Sequence, residues 1–178
     1  MGGSAAIASD SLNFSETRLP EGYEANLKLF RVGNSVIGTV GSIAHLPVLQ
    51  QALASLAPED VQLHRREGIF ETFVDLHPRL KDRFFLNTKE QDSDPYESSQ
   101  FSILIADRSG TFGVGSYREV FEFPRFWAIG SGRRFALGAM HARSGRAKTA
   151  PTWPRPACWP AANSTPLLPP MYGCKPSS

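Results

Sequence analysis

The fold of this chain is decided by residues 27–42, which read Leu-Lys-Leu-Phe-Arg-Val-Gly-Asn-Ser-Val-Ile-Gly-Thr-Val-Gly-Ser. Apolar and polar side chains alternate in the first half, as they do in a strand with one buried face. Gly33-Asn34 offers a two-residue turn, after which Ser35–Val40 resumes the strand pattern. The stretch therefore predicts a β-hairpin. Gly41 ends it, and Ser42 is the predicted N-cap of a following helix.

Hydrophobic periodicity predicts further elements on both sides of the hairpin. The apolar run Ala5–Ala8 predicts a buried strand, and the polar sequence that continues through Gly22 predicts a loop. Leucines at helical spacing predict a first helix over 43–56. Apolar residues that recur every three or four positions predict a second helix over 66–85, with a kink at Pro78.

Short apolar runs between turn residues predict a second group of strands, followed by a third helix. The strands are predicted over 101–106, 111–115, 119–123 and 126–129, and the helix over 133–142. Beyond residue 142 proline becomes frequent, and apolar residues no longer recur at helical or strand spacing. This predicts a disordered tail over 143–178. We therefore expect one domain, residues 1–142, of the α+β class. Helices between two groups of strands favour an αββα sandwich, in which two antiparallel sheets pack face to face with helices outside.

Composition and charge exclude several classes of protein. Hydrophobic residues make up 41% of the chain and charged residues 20%, as is usual for a folded globular protein. The net charge of +2 includes no long run of one sign, so no nucleic-acid partner is expected. No apolar stretch is long enough for a membrane span or a signal peptide, so we expect no membrane partner and a cytoplasmic location. The histidines lack the spacing of metal ligands and are interpreted as structural or solvated; they are His45, His64, His77 and His141.

Three segments of the chain resemble one known family when they are taken in order. They are Ile7-Ala8-Ser9-Asp10-Ser11, the hairpin from Lys28 to Ser42, and Trp127–Gly132 followed by Phe135–Ala139. Together they resemble the A-A-D-S strand end, the K-hydrophobic-F hairpin and the A-I-G-S-G strand of the proteasome β-subunit and HslV-type peptidase superfamily, whose members are N-terminal nucleophile hydrolases. The resemblance covers about residues 4–142.

This resemblance implies a hydrolase whose N-terminal threonine attacks an amide bond while its own α-amine accepts the proton. Lys28 is matched to the lysine that favours this deprotonation, and Asp10 to the carboxylate that holds the lysine in place. Gly41 is matched to the backbone N–H donor for the oxyanion, and Ser131 to a serine near the nucleophile's amine. Thr39 would line the pocket for the substrate side chain that precedes the cleaved bond.

Each of these matched residues also has an ordinary structural interpretation. Lys28 is compatible with an exposed strand lysine and Asp10 with a turn residue. Gly41 is compatible with a turn glycine, and Ser131 with a helix cap. The family needs neither a metal nor an organic cofactor, and the resemblance implies a homo-oligomer that acts on peptides or proteins.

The chain departs from the family's pattern at both ends. Only Met1 to Ser4 precede the first matched segment, where the family has a complete strand that carries the threonine. Ser4 lies too close to Asp10 to replace that threonine. The codons compatible with residues 157–165 also permit a helical peptide in a shifted frame, which suggests a reading-frame slip near Arg143. We therefore expect a sandwich without its first strand and last helices: a threonine-type peptidase subunit in its complete form, inactive as printed, or else a non-catalytic structural subunit of a similar assembly.

Overall fold

The computed structural model describes residues 5–9, 12–13, 17–18, 28–42, 44–89 and 93–144. Its strands are β1 (Leu12–Asn13), β2 (Thr17–Arg18), β3 (Leu29–Val32), β4 (Ser35–Val40), β5 (Ser102–Ala106), β6 (Thr111–Val114) and β7 (Val120–Phe123). Its helices are α1 (His45–Ala54), α2 (Arg66–Asp82) and α3 (Arg133–Arg143). None of the helices in these ranges has both the length and the apolar character needed to cross a bilayer.

The hairpin predicted from residues 27–42 is confirmed as β3 and β4. The two strands are antiparallel, with Val32 opposite Ser35, so only two residues lie between them. Gly33 adopts a φ of 57°, in the left-handed region that glycine enters without a steric penalty. Glycine therefore favours the reversal at this position, and the alternation on either side of it fixes the register.

These strands belong to a five-stranded antiparallel sheet with the order β3-β4-β5-β6-β7. The helices α1 and α2 connect β4 to β5, and they cover one face of the sheet. The main hydrophobic core lies in this layer; its fully buried large side chains include Ile37, Ile103 and Ile105 from the sheet and Leu49, Ile69, Leu76 and Leu80 from the helices. A separate sheet pairs the short strands β1 and β2.

The opposite face of the five-stranded sheet carries a smaller cluster. Ile7 packs there with Leu29, Val36 and Ala106, which belong to β3, β4 and β5. Further along the same face, the ring of Phe123 stacks on that of Trp127 at a centroid distance of 4.6 Å. This face therefore has its own apolar side chains in addition to those under the helices.

The structure confirms the α+β class and all three predicted helices, with shifted ends. The helix predicted over 66–85 ends at Asp82, and Pro78 lies inside it. The kink at Pro78 stays a prediction, as does the αββα sandwich. The strand pair β1 and β2 lies within the sequence predicted as a loop.

Three local predictions are wrong. Residues 5–9 form no strand. Ile7 is buried there by packing against side chains of the sheet, without backbone pairing to a strand. Residues 126–129 also form no strand; Trp127 stacks on Phe123, the last residue of β7. The N-cap of α1 is Ala44 rather than Ser42. Ser42 instead closes the preceding turn, in which its carbonyl accepts a hydrogen bond from the N–H of His45 at 3.0 Å.

Candidate active site

Two of the predicted site residues lie opposite each other at one end of the hairpin. The carbonyl of Lys28 accepts a hydrogen bond from the N–H of Thr39 at 3.2 Å, which continues the β3-β4 ladder by one residue. Side chains alternate along a strand, so Lys28 and Thr39 share the face on which Phe30 and Ile37 pack into the helical layer. The half-buried Lys28 is therefore not an ordinary exposed strand lysine.

Gly41 follows β4 directly and lies in a crowded place. Its φ of 136° belongs to a region that side chains rarely adopt. A Cβ atom there would lie 3.0 Å from Nδ1 of His45, 3.2 Å from the carbonyl oxygen of Gln100 and 3.3 Å from Cβ of Phe101. Both the backbone conformation and the surrounding atoms thus require glycine at this position.

His45, the first residue of α1, was interpreted from sequence as structural or solvated. The structure places its ring against that of Phe101, with centroids 5.5 Å apart and planes at 58°. Its Nδ1 is buried and has no hydrogen-bond partner within the described part of the chain. Burial lowers the pKa of His45 from its ordinary value, because desolvation disfavours the imidazolium. No local sequence pattern indicates this contact, because Gly41 lies ahead of the helix that begins at His45.

Thr39 is buried, although the resemblance implies that it lines a substrate pocket. Its side chain is 8% exposed, and Oγ1 is a buried oxygen without a hydrogen-bond partner among the described residues. Across the ladder it is paired with Ile103 of β5. The hydroxyl therefore lies in a largely apolar layer, close to the end of β4.

Ser131 lies in the turn that precedes α3 and is exposed. The N-cap of α3 is Gly132 and no side chain caps it, so Ser131 does not act as the helix cap. The neighbouring Gly130 adopts a φ of 93°, and a Cβ there would lie 3.2 Å from Cγ1 of Val40. The turn thus rests on the last residue of β4, although Val40 points to the opposite face from Thr39.

The structure therefore brings Lys28, Thr39 and Gly41 to one end of β3 and β4, and it places the turn of Ser131 against the same end of β4. Asp10 lies outside the described residues. Its pairing with Lys28 stays a prediction, and so does the convergence of the side chains of Asp10, Lys28 and Ser131 in one cleft.

Comparison with known proteins identifies similar solved structures. Thiobacillus denitrificans BPH is 33% identical, and the match covers 96% of this chain and 88% of that chain with a TM-score of 0.75. The same protein in complex with epoxomicin is 34% identical over the same shares of both chains, with a TM-score of 0.74. Eukaryotic HslV from Trypanosoma brucei is 19% identical over 87% of this chain and 81% of that chain, with a TM-score of 0.49. No protein-family model and no curated protein matches.

Proposed function

Because this chain belongs to the proteasome-like family that includes Thiobacillus denitrificans BPH, we propose that the complete protein is a threonine-type peptidase subunit. Its substrates would be amide bonds in peptides or proteins. The observation that supports this most is the position of Gly41. A glycine whose conformation and surroundings both exclude a side chain follows β4 directly, at the end where Lys28 and Thr39 face each other.

In this reaction each matched residue has a distinct task. The hydroxyl of an N-terminal threonine attacks the carbonyl carbon of the substrate, and its α-amine takes the hydroxyl proton. The N–H of Gly41 donates a hydrogen bond to the oxyanion of the tetrahedral intermediate. The amine product leaves with the proton, and water then hydrolyses the ester that remains on the threonine. The charge of Lys28, held by Asp10, favours the deprotonated nucleophile, while Ser131 orients its amine.

The remaining features of the proposal concern architecture. The five-stranded sheet would be one half of an αββα sandwich, with residues 1–142 as the domain and 143–178 as a separate tail. The protein would assemble as a homo-oligomer in the cytoplasm and would need no cofactor. Thr39 would form part of the wall of the pocket for the substrate side chain before the cleaved bond.

A second candidate function is that of a non-catalytic structural subunit in a similar assembly. Such a subunit would keep the fold and the matched Lys28 and Gly41, and it would lack the nucleophilic threonine, for which no match is identified among residues 1–178. The two candidates differ in whether a threonine-bearing segment belongs to the complete protein, and this can be measured.

The test compares the 178-residue chain with the product of the gene extended upstream of Met1. We expect the extended product to hydrolyse fluorogenic peptides and to be labelled covalently by epoxomicin, and the printed chain to do neither. In the extended product, Lys28→Ala should lower kcat by at least about 100-fold, because the nucleophile loses its neighbouring cation. Lys89→Ala, which changes an exposed loop lysine, should leave kcat unchanged. An extended product that neither cleaves peptides nor reacts with epoxomicin would favour the structural subunit.

A further inference from the structure

We propose that His45 is a positioning residue that holds Gly41 in the conformation in which its backbone N–H meets the oxyanion. The oxyanion part of this inference rests on the proposed function. The contact between His45 and Gly41 is a property of the fold, so it can be tested on the protein whether or not the protein is a peptidase.

Three groups crowd the position that a Cβ of Gly41 would occupy. Nδ1 of His45 lies 3.0 Å from it, the carbonyl oxygen of Gln100 3.2 Å and Cβ of Phe101 3.3 Å. The imidazole is thus one of the groups that pack beside Gly41, and this packing restricts rotation of the backbone away from its φ of 136°.

The position of the imidazole is itself fixed from two directions. Its ring packs at a tilt against that of Phe101, which is only 4% exposed and belongs to the main core. Its backbone N–H donates to the carbonyl of Ser42, the residue after Gly41, at 3.0 Å. The side chain therefore rests on the core, and the backbone closes a short turn that begins beside Gly41.

The environment of the His45 ring agrees with a role in packing beside Gly41. Nδ1 is buried without a hydrogen-bond partner in the described ranges, and burial disfavours the imidazolium. The ring therefore acts beside Gly41 by filling space. His45 acts through Gly41 and does not touch the reacting atoms, so we do not count it as a catalytic residue.

The first experiment measures backbone amide hydrogen exchange at Gly41 and Ser42 in the printed chain. His45→Ala removes the ring, and we expect exchange at these amides to rise about 10-fold or more because the turn opens more often. His45→Phe keeps an aromatic ring of similar size and should restore slow exchange. His64→Ala, at an exposed histidine outside the turn, is the matched control and should leave both amides unchanged. Unchanged exchange in His45→Ala overturns the inference whatever the activity of the protein.

The second experiment measures kinetics in the extended product. Misplacing one oxyanion donor should lower kcat about 10- to 100-fold in His45→Ala, with KM within about 2-fold of the wild-type value. His45→Phe should regain most of kcat. A folded His45→Ala variant with full kcat contradicts the positioning role. If the alanine variant fails to fold, His45→Phe decides: a folded His45→Phe variant that loses kcat contradicts the role, because it keeps an aromatic ring beside Gly41. If the wild-type protein cleaves no peptide, the proposed function fails while the exchange data still decide the contact.

Discussion

At the scale of single residues, two buried threonines differ sharply in how their hydroxyls are satisfied. Oγ1 of Thr72 accepts a hydrogen bond from the N–H of Gln62 at 3.0 Å, and the carbonyl oxygens of Asp60 and Gly68 lie 3.1 and 2.8 Å away as acceptors. Oγ1 of Thr39 is buried with no such partner in the described part of the chain. One hydroxyl therefore ties the start of α2 to the segment before it, and the other contributes little to stability.

This contrast predicts opposite effects of the same substitution. Thr72→Val should lower the free energy of unfolding by about 1–3 kcal/mol, because it leaves the partly buried N–H of Gln62 without its acceptor. Thr39→Val should leave that free energy unchanged or raise it by up to about 1 kcal/mol, since it removes a buried hydroxyl without a partner. Urea unfolding of the two variants measures both values. A loss at Thr39 as large as that at Thr72 would show that the Thr39 hydroxyl is satisfied by residues outside the described ranges.

At the scale of elements, a polar cluster joins α2 to the loop before β5 and to the turn between β6 and β7. Glu97 accepts hydrogen bonds from Lys81 at 2.5 Å and from Nε2 of His77 at 3.1 Å. Arg118 donates to the carbonyl of Glu97 at 2.8 Å and to Nδ1 of His77 at 3.1 Å. Arginine cannot accept, so the ring proton of His77 lies on Nε2 and points at the carboxylate. Lys81, His77 and Arg118 thus all donate hydrogen bonds to Glu97, and these bonds hold the loop before β5.

The acid makes this connection dependent on pH. The hydrogen bond from Lys81, followed by that from His77, lowers the pKa of Glu97 from 4.5 to about 2. A carboxyl with a lowered folded-state pKa stabilises the fold above its unfolded pKa, and this contribution is lost as the pH falls from about 4.5 through about 2. Glu97→Gln should therefore reduce the drop in Tm between about pH 5 and pH 2.5, by an amount that added salt diminishes because the pair is partly exposed. Glu71→Gln, an exposed acid on α2, should reproduce the wild-type drop; an equal drop in Glu97→Gln would contradict the assignment.

The sequence predicted the elements whose signals lie in neighbouring residues. It did not predict the features that depend on contacts between distant parts of the chain. The hairpin followed from alternation around Gly33, and α2 from its apolar stripe, because both signals are local. The segment 126–129 has a strand-like composition, yet Trp127 packs on Phe123 and forms no ladder. At the site, the resemblance assigned Lys28 and Gly41 to one active site, and that shared role stays a prediction. The contact of His45 with Gly41 depends on how α1 sits against Phe101, which no local pattern contains.

At the scale of the whole molecule, the two faces of the sheet differ in how they are covered. The helices α1 and α2 bury one face around Ile37 and Ile105, both fully buried. On the other face Phe121 and Trp127 are 54% and 43% exposed, although Phe123 stacks against both rings. A two-sheet sandwich would need apolar side chains on both faces of this sheet, and the second face provides them. The exposed rings of Phe121 and Trp127 are therefore compatible with the proposed second sheet, which stays a proposal.

The proposed division of the chain at residue 142 leads to a prediction about truncation. Among the described residues, both hydrophobic clusters lie between Ala5 and Val120, and Gly130 rests on Val40; we therefore expect the fold not to need the tail. A chain that ends at Ser144 should have the same urea midpoint and the same slope as the 178-residue chain, because the slope scales with the surface exposed on unfolding. A chain that ends at Phe123 also loses the stacked Trp127 and the Gly130 turn, so its midpoint should fall. A lower midpoint for the chain ending at Ser144 would show that residues 145–178 pack on the domain and are part of its fold.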